Sequence, residues 1–250
     1  MQHKPTLEDA LALMRDLRAR CDWDRVQTHE SLRPYLIEET HELDDALRMG
    51  NIAHMREELG DVLLQVLFHS VIAEEDGQFD AHDVAAALVE KMQQRHPHLY
   101  GGGDRQDWEA MKARRRDSIG DGLPAGLPSL HRAHRLQDRA AGVGFDWSDT
   151  EGPALKVEEE LAEVRAELAH GNHDGRRDAL ESELGDLLFA VVNLCRRAGV
   201  HAAPALDRAN EKFQRRFEQM EVLARERGVV MGRATLAELD RLWDEVKTAE

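Results

Sequence analysis

The chain contains an internal repeat, and this repeat constrains its fold more than any other feature. The stretch EELGDVLLQVLF at 57–68 returns as SELGDLLFAVVN at 182–193, a spacing of 125 residues. Acidic residues upstream of each stretch and basic residues downstream repeat at a spacing of 121. DWD at 22–24 and FDW at 145–147 form a looser match before each copy. The spacing changes between 121 and 125 because loops differ in length between the copies while the helices keep their register. This is typical of a duplicated helical domain.

Both copies are predicted to be helical. Ala, Leu, Glu and Arg dominate the sequence and strand-like alternation is scarce. Gly50-Asn51 and Gly171-Asn172 each resemble a helix stop followed by an N-cap. We predict an all-α fold with a helical domain at 1–100, a linker with a short helix at 101–128 and a second helical domain at 129–250. The apolar periodicity places helices near 6–20, 31–49, 52–75, 80–95, 105–117, 129–141, 151–169, 175–198, 202–227 and 234–248.

Composition excludes several classes of protein. The net charge of −16 would repel nucleic acid and anionic membranes, so we expect no direct binding to either. There is no apolar run of transmembrane length and no signal-peptide pattern at the N-terminus. Cys21 and Cys195 have no CxxC partner, which argues against a disulfide framework. We therefore expect a cytoplasmic protein.

The second copy carries two acidic pairs on consecutive predicted helices. Glu160 lies within the apolar stripe of its helix, and Glu163 lies beside it one turn later. Glu183 and Asp186 precede LLFAVV at 187–192, which is apolar on all sides and is expected to be buried. Helices joined by a short turn pack antiparallel, so the four carboxylates can converge. The first copy repeats the pattern with Glu39, Glu42, Glu58 and Asp61.

Four converging carboxylates require compensation. An uncompensated buried carboxylate costs several kcal/mol, and like charges raise one another's pKa values. Because oxygen-only ligand sets favour hard cations, each cluster is predicted to bind Mg²⁺ or Mn²⁺. The alternative is a solvated acidic helix face, which is common for a single acidic motif but less expected for a repeated pair.

Basic and polar residues accompany the second acidic cluster. Lys212 and Arg216 stand four residues apart on one helix face, an arrangement that could hold the oxygens of a polyphosphate. Asn210 could donate a hydrogen bond to a sugar or base, and Lys156 precedes the first acidic pair only in this copy. Trp243 could stack on a base, although a tryptophan in a terminal amphipathic helix is also a packing residue.

These motifs carry a family resemblance that covers nearly the whole chain. The ExxE and ExxD pairs resemble those of the all-α nucleoside triphosphate pyrophosphohydrolases, which include dimeric dUTPases and phosphoribosyl-ATP pyrophosphohydrolases. The complete ordered set resembles the two-domain MazG proteins specifically. That set comprises WDRVQTHESL at 23–32, EELGDVLLQVLFHS at 57–70, RHPHLYG at 95–101, GFDW at 144–147 and NEKFQRRF at 210–217.

The resemblance implies an enzyme that hydrolyses NTPs and dNTPs between the α and β phosphates with Mg²⁺. It also implies that each of the two tandem repeats forms a four-helix-bundle-type domain and that these bundles intertwine in a homodimer. It implies that the C-terminal copy is the active one. The metal ligands would then be Glu160, Glu163, Glu183 and Asp186, while the N-terminal set remains a possible second metal site in a structural or regulatory copy. The substrate contacts would be Lys156, Lys212 and Arg216 on the polyphosphate, with Asn210 and Trp243 at the nucleoside.

The mechanism hypothesised from these residues is metal-assisted hydrolysis. A bound ion would orient a water and lower its pKa. Glu159 or Glu163 would accept the proton from that water. Lys212 and Arg216 would stabilise charge on the departing pyrophosphate.

Two alternatives come from other classes of protein. A di-iron or di-manganese carboxylate bundle needs ExxH motifs, and these occur as Glu38–His41 and Glu167–His170 but at non-equivalent places in the two copies. A non-catalytic nucleotide-sensing regulator would bind nucleotides with Mg²⁺ without hydrolysing them.

Overall fold

The computed structural model describes residues 4–102, 118–169 and 177–249. All regular elements within these ranges are helices, which confirms the all-α fold. The chain divides into two compact units, Met1–Gln106 and Asp107–Glu250. The predicted helix at 105–117 and the predicted Gly171-Asn172 turn lie outside the described residues. No described helix combines the length and the apolar character needed to cross a lipid bilayer.

The helices of the N-terminal unit begin at polar caps that the sequence supplies locally. Thr6, Thr28 and Asp80 each accept hydrogen bonds from the first turn of a helix in reciprocal capping boxes. Gly50, with φ of +64°, ends one helix in the left-handed region, and Asn51 caps the next. The helices are α1 (Leu7–Arg20), α2 (Asp22–Arg25), α3 (His29–Met49), α4 (Ile52–Glu75), α5 (Ala81–Arg95) and α6 (Pro97–Tyr100).

The N-terminal unit is built on the pairing of α3 with α4, which the short Gly50-Asn51 turn makes antiparallel. Helix α1 packs on α4. The buried apolar cluster between them consists of Leu11, Met14, Leu32, Phe68, Val71 and Ile72. This packing brings Glu39 of α3 close to Glu58 and Asp61 of α4.

The C-terminal unit repeats the paired helices and adds a terminal hairpin. Its helices are α7 (Ser129–Ala141), α8 (Glu151–Ala169), α9 (Arg177–Arg197), α10 (Ala202–Glu226) and α11 (Leu236–Thr248). Helix α8 packs along α9, and α7 contacts both α9 and α10. Helices α10 and α11 bury a separate apolar cluster of Met220, Ala224, Leu242 and Val246.

The expected burial of 187–192 is wrong for a single chain. Leu188 is 61% exposed, Phe189 44% and Val191 38%, whereas Val192 is buried. The reason is that α7, α8 and α10 cover only part of α9 among the described residues. Helix α4 of the first copy shows the same feature, with Leu64 and Val66 at least 40% exposed. Each copy therefore presents an apolar helix face.

A partly buried ion pair links the segment before α8 to the end of α9. Asp146 accepts from both Arg196 and Arg197, with its Oδ1 2.5 Å from Arg196 Nη2 and its Oδ2 3.1 Å from Arg197 Nη1. Burial by itself would raise the pKa of Asp146, but the hydrogen bond and charge of Arg196 and the charge of Arg197 hold it below the usual range. These ion pairs thus hold the 145–147 segment, which contains Trp147, against α9.

We expect Asp146→Asn to lower the free energy of unfolding by about 3 kcal/mol, because two partly buried guanidinium groups would lose their counter-charge. The pair contributes stability above the usual pKa of an aspartate, and this contribution is lost as pH falls through the depressed folded-state pKa. Chemical denaturation of the full chain measures the effect.

The matched control is Asp22→Asn. Asp22 occupies the corresponding DW motif, is 92% exposed and pairs with Arg25 on the surface. Such a surface pair contributes less than about 1 kcal/mol. Equal losses in the two variants would contradict the anchoring role of Asp146.

Candidate active site

Three carboxylates converge at the paired helices of the C-terminal unit. Glu160 from α8 and Glu183 and Asp186 from α9 each offer an oxygen within 4.8 Å of the others. Glu160 is only 5% exposed, Glu183 is half-buried and Asp186 is exposed. The donor set is made entirely of hard oxygens and therefore fits a divalent cation such as Mg²⁺ or Mn²⁺. The predicted convergence across two helices is present in the structure.

Glu163, the fourth predicted ligand, lies beside this group. Its pKa is raised by partial desolvation and then by the negative charges of Glu160 and Glu183, with a hydrogen bond to Glu160 adding to the shift. Repulsion of this kind is the expected state of clustered carboxylates without a cation between them. Glu159 differs, because its carboxylate points to a lysine instead of the cluster.

Lys156 lies against the second-copy cluster. Its Nζ lies 2.7 Å from Glu160 Oε1 and 2.9 Å from Glu159 Oε1. Hydrogen bonds to Glu160 and then to Glu159 raise the pKa of Lys156 above its ordinary value. The structure therefore places the predicted polyphosphate contact against the carboxylates, where it offsets the charge of the buried Glu160.

The N-terminal unit contains an equivalent cluster with a different burial pattern. Glu39, Glu58 and Asp61 offer oxygens within 4.8 Å of one another. Here Glu58 is the buried member, and its Oε1 lies 2.8 Å from Nε2 of His54. The pKa of Glu39 is raised, mainly by burial and next by the charge of Asp61. The geometry is thus compatible with a second cation site.

Glu42, the fourth acid of the N-terminal set, behaves like its counterpart Glu163. Its pKa is raised by partial desolvation and then by the charges of Glu58 and Glu38.

Among the described residues, neither three-residue cluster contains a histidine, so the structure does not assemble the ligands of a di-iron site from Glu38–His41. His170, in the other ExxH motif, lies outside the described residues.

A cavity of 360 Å³ opens beside Glu160 in the C-terminal unit. Helices α7, α8 and α9 and the 145–147 segment form its walls, and Glu160 and Lys156 are among its lining residues. Its other notable lining residues are Trp147, Phe189, Gln137 and Asn193. The cavity therefore joins the carboxylate cluster to a largely apolar space of the size typical of small-molecule sites.

The remaining predicted substrate residues lie on α10 and α11. Asn210 and Lys212 are exposed, and Lys212 lines an open groove of 420 Å³ with Arg208 and Arg215. Arg216 lies one turn further along the same helix. None of these α10 residues lines the cavity beside Glu160. Within one chain, the structure does not bring the predicted α10 cations to the walls of that cavity.

Trp243 packs within the terminal hairpin. Its ring centroid lies 5.3 Å from that of Phe213, and it contacts the buried cluster of α10 and α11. It also does not line the cavity beside Glu160. Of the two roles considered from the sequence, the structure of a single chain shows the packing role.

Sequence reasoning missed Gln137 and Asn193. Gln137 is 5% exposed and Asn193 is 7% exposed, and both line the cavity. Comparison of the two copies could have indicated Asn193, because a polar residue there corresponds to the apolar Phe68 at a spacing of 125. Gln137 lies in α7, upstream of the strongly repeated motifs, and the sequence carried no comparable signal for it.

Comparison with known proteins adds to this geometry. The model of the MazG nucleotide pyrophosphohydrolase domain matches twice, at residues 27–100 and 151–220. The chain belongs to the MazG family. Both carboxylate clusters fall inside the matched segments, whereas α1, α7 and α11 lie outside them.

Named relatives span almost the full chain. The nucleoside triphosphate pyrophosphohydrolase/pyrophosphatase MazG of Thermotoga maritima is 44% identical over 250 residues, covering 96% of this chain and 95% of the relative. The nucleoside triphosphate pyrophosphohydrolase of Escherichia coli K12 is 41% identical, covering 95% and 94%. That of Mycobacterium tuberculosis is 41% identical over 173 residues, which are 65% of this chain and 51% of the relative.

We expect Mg²⁺ or Mn²⁺ to raise the thermal unfolding temperature of the full chain, because a cation relieves repulsion among Glu160, Glu163 and Glu183. Since the pKa of Glu163 is raised, protons compete with the metal for this carboxylate up to a higher pH than they do for an ordinary glutamate. The metal-induced rise should be greatest above that folded-state pKa and should disappear as pH falls through it. Thermal scans with and without metal across pH measure this.

In the same measurement, Glu183→Gln should weaken the apparent metal affinity roughly tenfold or more, because one ligand oxygen loses its charge. Glu181→Gln is the control, since Glu181 is exposed on the same helix and lies outside the cluster. The N-terminal cluster could mask a partial loss, so both variants are also compared in a Glu58→Gln background. Unchanged affinity of the Glu183→Gln chain in that background would contradict the site.

Proposed function

We propose that this protein hydrolyses nucleoside triphosphates, both NTPs and dNTPs, at the α–β phosphoanhydride bond to give a nucleoside monophosphate and pyrophosphate. The observation that carries the proposal is the shared position of Glu160, which belongs to the carboxylate cluster and also lines the adjoining cavity. Membership of the MazG family and the printed names of two nearly full-length relatives support the same activity.

Glu160, Glu163, Glu183 and Asp186 would hold the divalent cation, which we propose to be Mg²⁺. When bound, such an ion polarises phosphate oxygens and lowers the pKa of a coordinated water. The buried Glu160 fixes one side of the ligand set, while the exposed Asp186 leaves the other side open to a substrate. Oxygen donors from two rigid helices hold this arrangement without a contribution from a loop.

Glu163 is the better placed of the two candidate general bases. It lies next to the cluster and hydrogen-bonds Glu160. Glu159 is instead engaged by Lys156. With a cation bound at Glu160, Lys156 would be available to bind a phosphate oxygen, the role predicted for it from the sequence.

The N-terminal copy is proposed to be structural or regulatory. It retains the carboxylate cluster, so it can bind a metal, but Tyr35 stands where the second copy has Lys156. The first copy therefore does not have the lysine that lies against the carboxylates of the second copy. We keep the non-catalytic nucleotide-sensing alternative as a proposal for this half of the chain.

We also propose that the chain acts as an intertwined homodimer. The exposed apolar faces of α4 and α9 are the supporting observation, because contiguous apolar helix faces commonly mark protein interfaces. A partner copy packed on α9 could also bring Asn210, Lys212 and Arg216 to the cavity beside Glu160, which they do not line within one chain. A cytoplasmic location stays a prediction.

Product analysis tests the reaction. With Mg²⁺ and a dNTP, the wild type should give the monophosphate and pyrophosphate in equal amounts. Glu160→Gln should lower kcat by at least about 100-fold, because it removes the buried ligand. The matched variant Glu39→Gln, which alters the equivalent acid of the first copy, should retain activity. Diphosphate and orthophosphate as products, or equal loss in the two variants, would contradict this proposal.

Sedimentation of the full chain tests the dimer. We expect twice the mass of one chain, and we expect Leu188→Arg to shift the equilibrium towards the monomer because it places a charge on the exposed apolar face of α9. Leu236→Arg, at a 75% exposed position in the first turn of α11, is the control. A wild type that sediments as a monomer at all concentrations would refute the proposed assembly.

A further inference from the structure

Each carboxylate cluster has one buried member, and the buried position differs between the two copies. In the second copy it is Glu160, on the first of the two acidic helices, and this residue is 5% exposed. In the first copy it is Glu58, on the second of the two helices, and this residue is 4% exposed. Glu58 corresponds in the repeat to Glu183, which is half-buried. The two clusters therefore hold their most desolvated charge at different positions.

In both copies, a basic residue four positions earlier on the same helix contacts the buried carboxylate. Lys156 Nζ lies 2.7 Å from Glu160 Oε1 in the second copy. His54 Nε2 lies 2.8 Å from Glu58 Oε1 in the first copy. Residues four apart are neighbours on one helix face, so helix geometry by itself keeps each base beside its acid. Each copy thus offsets its buried charge with a base of a different kind.

The two bases differ in whether they can bind a metal ion. Hydrogen bonds to Glu160 and then to Glu159 raise the pKa of Lys156, so its ammonium group stays protonated and has no lone pair to offer. A neutral imidazole does have a lone pair, and histidine is the commonest metal ligand among the side chains. The side chain of His54 is 39% exposed, so ions in solution can reach it. The base of the first copy can therefore act as a ligand.

Glu58 also has an oxygen that is available to a cation. Its Oε2 is buried and has no hydrogen-bond partner among the described residues. Buried polar atoms nearly always have a partner, so such an atom calls for an explanation. Glu39 and Asp61 each offer an oxygen within 4.8 Å of the same group. A cation held by these three carboxylates would satisfy the buried oxygen.

The contact between His54 and Glu58 has the dimensions of two ligands on one ion. Metal–nitrogen and metal–oxygen bonds of about 2.1 Å place neighbouring ligand atoms about 3 Å apart. The separation of Nε2 and Oε1 is 2.8 Å. His54, Glu58 and Asp61 follow one another on α4 at steps of four and three residues, so all three lie on one face of that helix. Helix α3 supplies Glu39 to the same cluster.

We infer that His54 is a nitrogen ligand of the first-copy cation site, which therefore binds a divalent transition ion such as Mn²⁺ in preference to Mg²⁺. Imidazole suits transition ions, whereas Mg²⁺ takes oxygen ligands. The second copy has Ala179 at the position that corresponds to His54, and its cluster of oxygens remains suited to Mg²⁺. This inference rests on the proposal that the carboxylate clusters hold cations, and it assigns a different ion to each copy.

The test follows Mn²⁺ in the full chain carrying Glu183→Gln, which weakens the second-copy site. Pulsed electron paramagnetic resonance detects a coordinated imidazole through the coupling of its nitrogen to Mn²⁺. With one Mn²⁺ added per chain we expect this coupling, and we expect His54→Gln to remove it. The control His82→Gln, at an exposed histidine of α5 in the same unit, should retain it. Absence of the coupling, or its persistence in His54→Gln, would overturn the inference.

Calorimetric titration of the same chains separates a ligand from a residue that only donates a hydrogen bond. His54→Gln keeps an amide donor for Glu58 Oε1 but removes the imidazole. It should lower the Mn²⁺ affinity roughly 10-fold or more, because loss of even an outer-shell partner costs about 10-fold to 100-fold. The Mg²⁺ affinity should change little. Equal losses for the two ions would mean that His54 acts only through its hydrogen bond, and this result would overturn the inference.

Two further measurements locate the ion and separate this inference from the proposed reaction. Glu58→Gln should also remove the nitrogen coupling, because the ion loses its buried ligand; coupling that persists would come from another histidine and would overturn the inference. Hydrolysis of dATP with Mg²⁺ is measured on the wild type. Nitrogen coupling without hydrolysis would support the first-copy site while the proposed function fails. Hydrolysis without nitrogen coupling would overturn the inference and leave the proposed function standing.

Discussion

Glu160 is buried among like charges, and the arrangement of the C-terminal unit follows from how that charge is offset. Its carboxylate lies against Lys156 on its own helix and within reach of Glu183 and Asp186 on the next. A buried carboxylate with negative neighbours is costly unless a cation accompanies it. The lysine supplies part of this compensation in the protein itself, and a divalent ion would supply the rest when it binds. The same residue therefore links stability, metal binding and the substrate cavity.

The two copies of the duplicated domain share one helical arrangement and differ beside the carboxylate cluster. Both copies keep the paired helices and the acidic motifs, because these residues are fixed by helix register. They differ in what lies beside the cluster: aromatic packing around Phe68 in the first copy, and a cavity with polar groups in the second. Phe68 belongs to the buried apolar core of the first copy. The open space of the second copy is a site that a ligand can enter.

Exposed apolar faces on α4 and α9 show that a single chain does not complete its own packing. A surface helix normally turns its apolar stripe to a core, yet Leu188 and Phe189 remain largely exposed. The basic residues of α10 are separated from the carboxylate cavity in the same single chain. In the proposed homodimer, a partner copy would cover the apolar faces and could bring these cations to the site.

The sequence predicted the long described helices, the Gly50-Asn51 turn, the repeat and the acidic pairs, because periodicity and capping act over a few neighbouring residues. It also determined the family, through motifs such as ELGD that keep their spacing. The tertiary structure decided which carboxylate is buried, that Lys156 pairs with Glu160, and that Trp243 packs on Phe213. It also decided that an open cavity exists beside Glu160. These features depend on side chains from α7, α8, α9 and the 145–147 segment, and the space left between distant elements is not encoded in any local pattern.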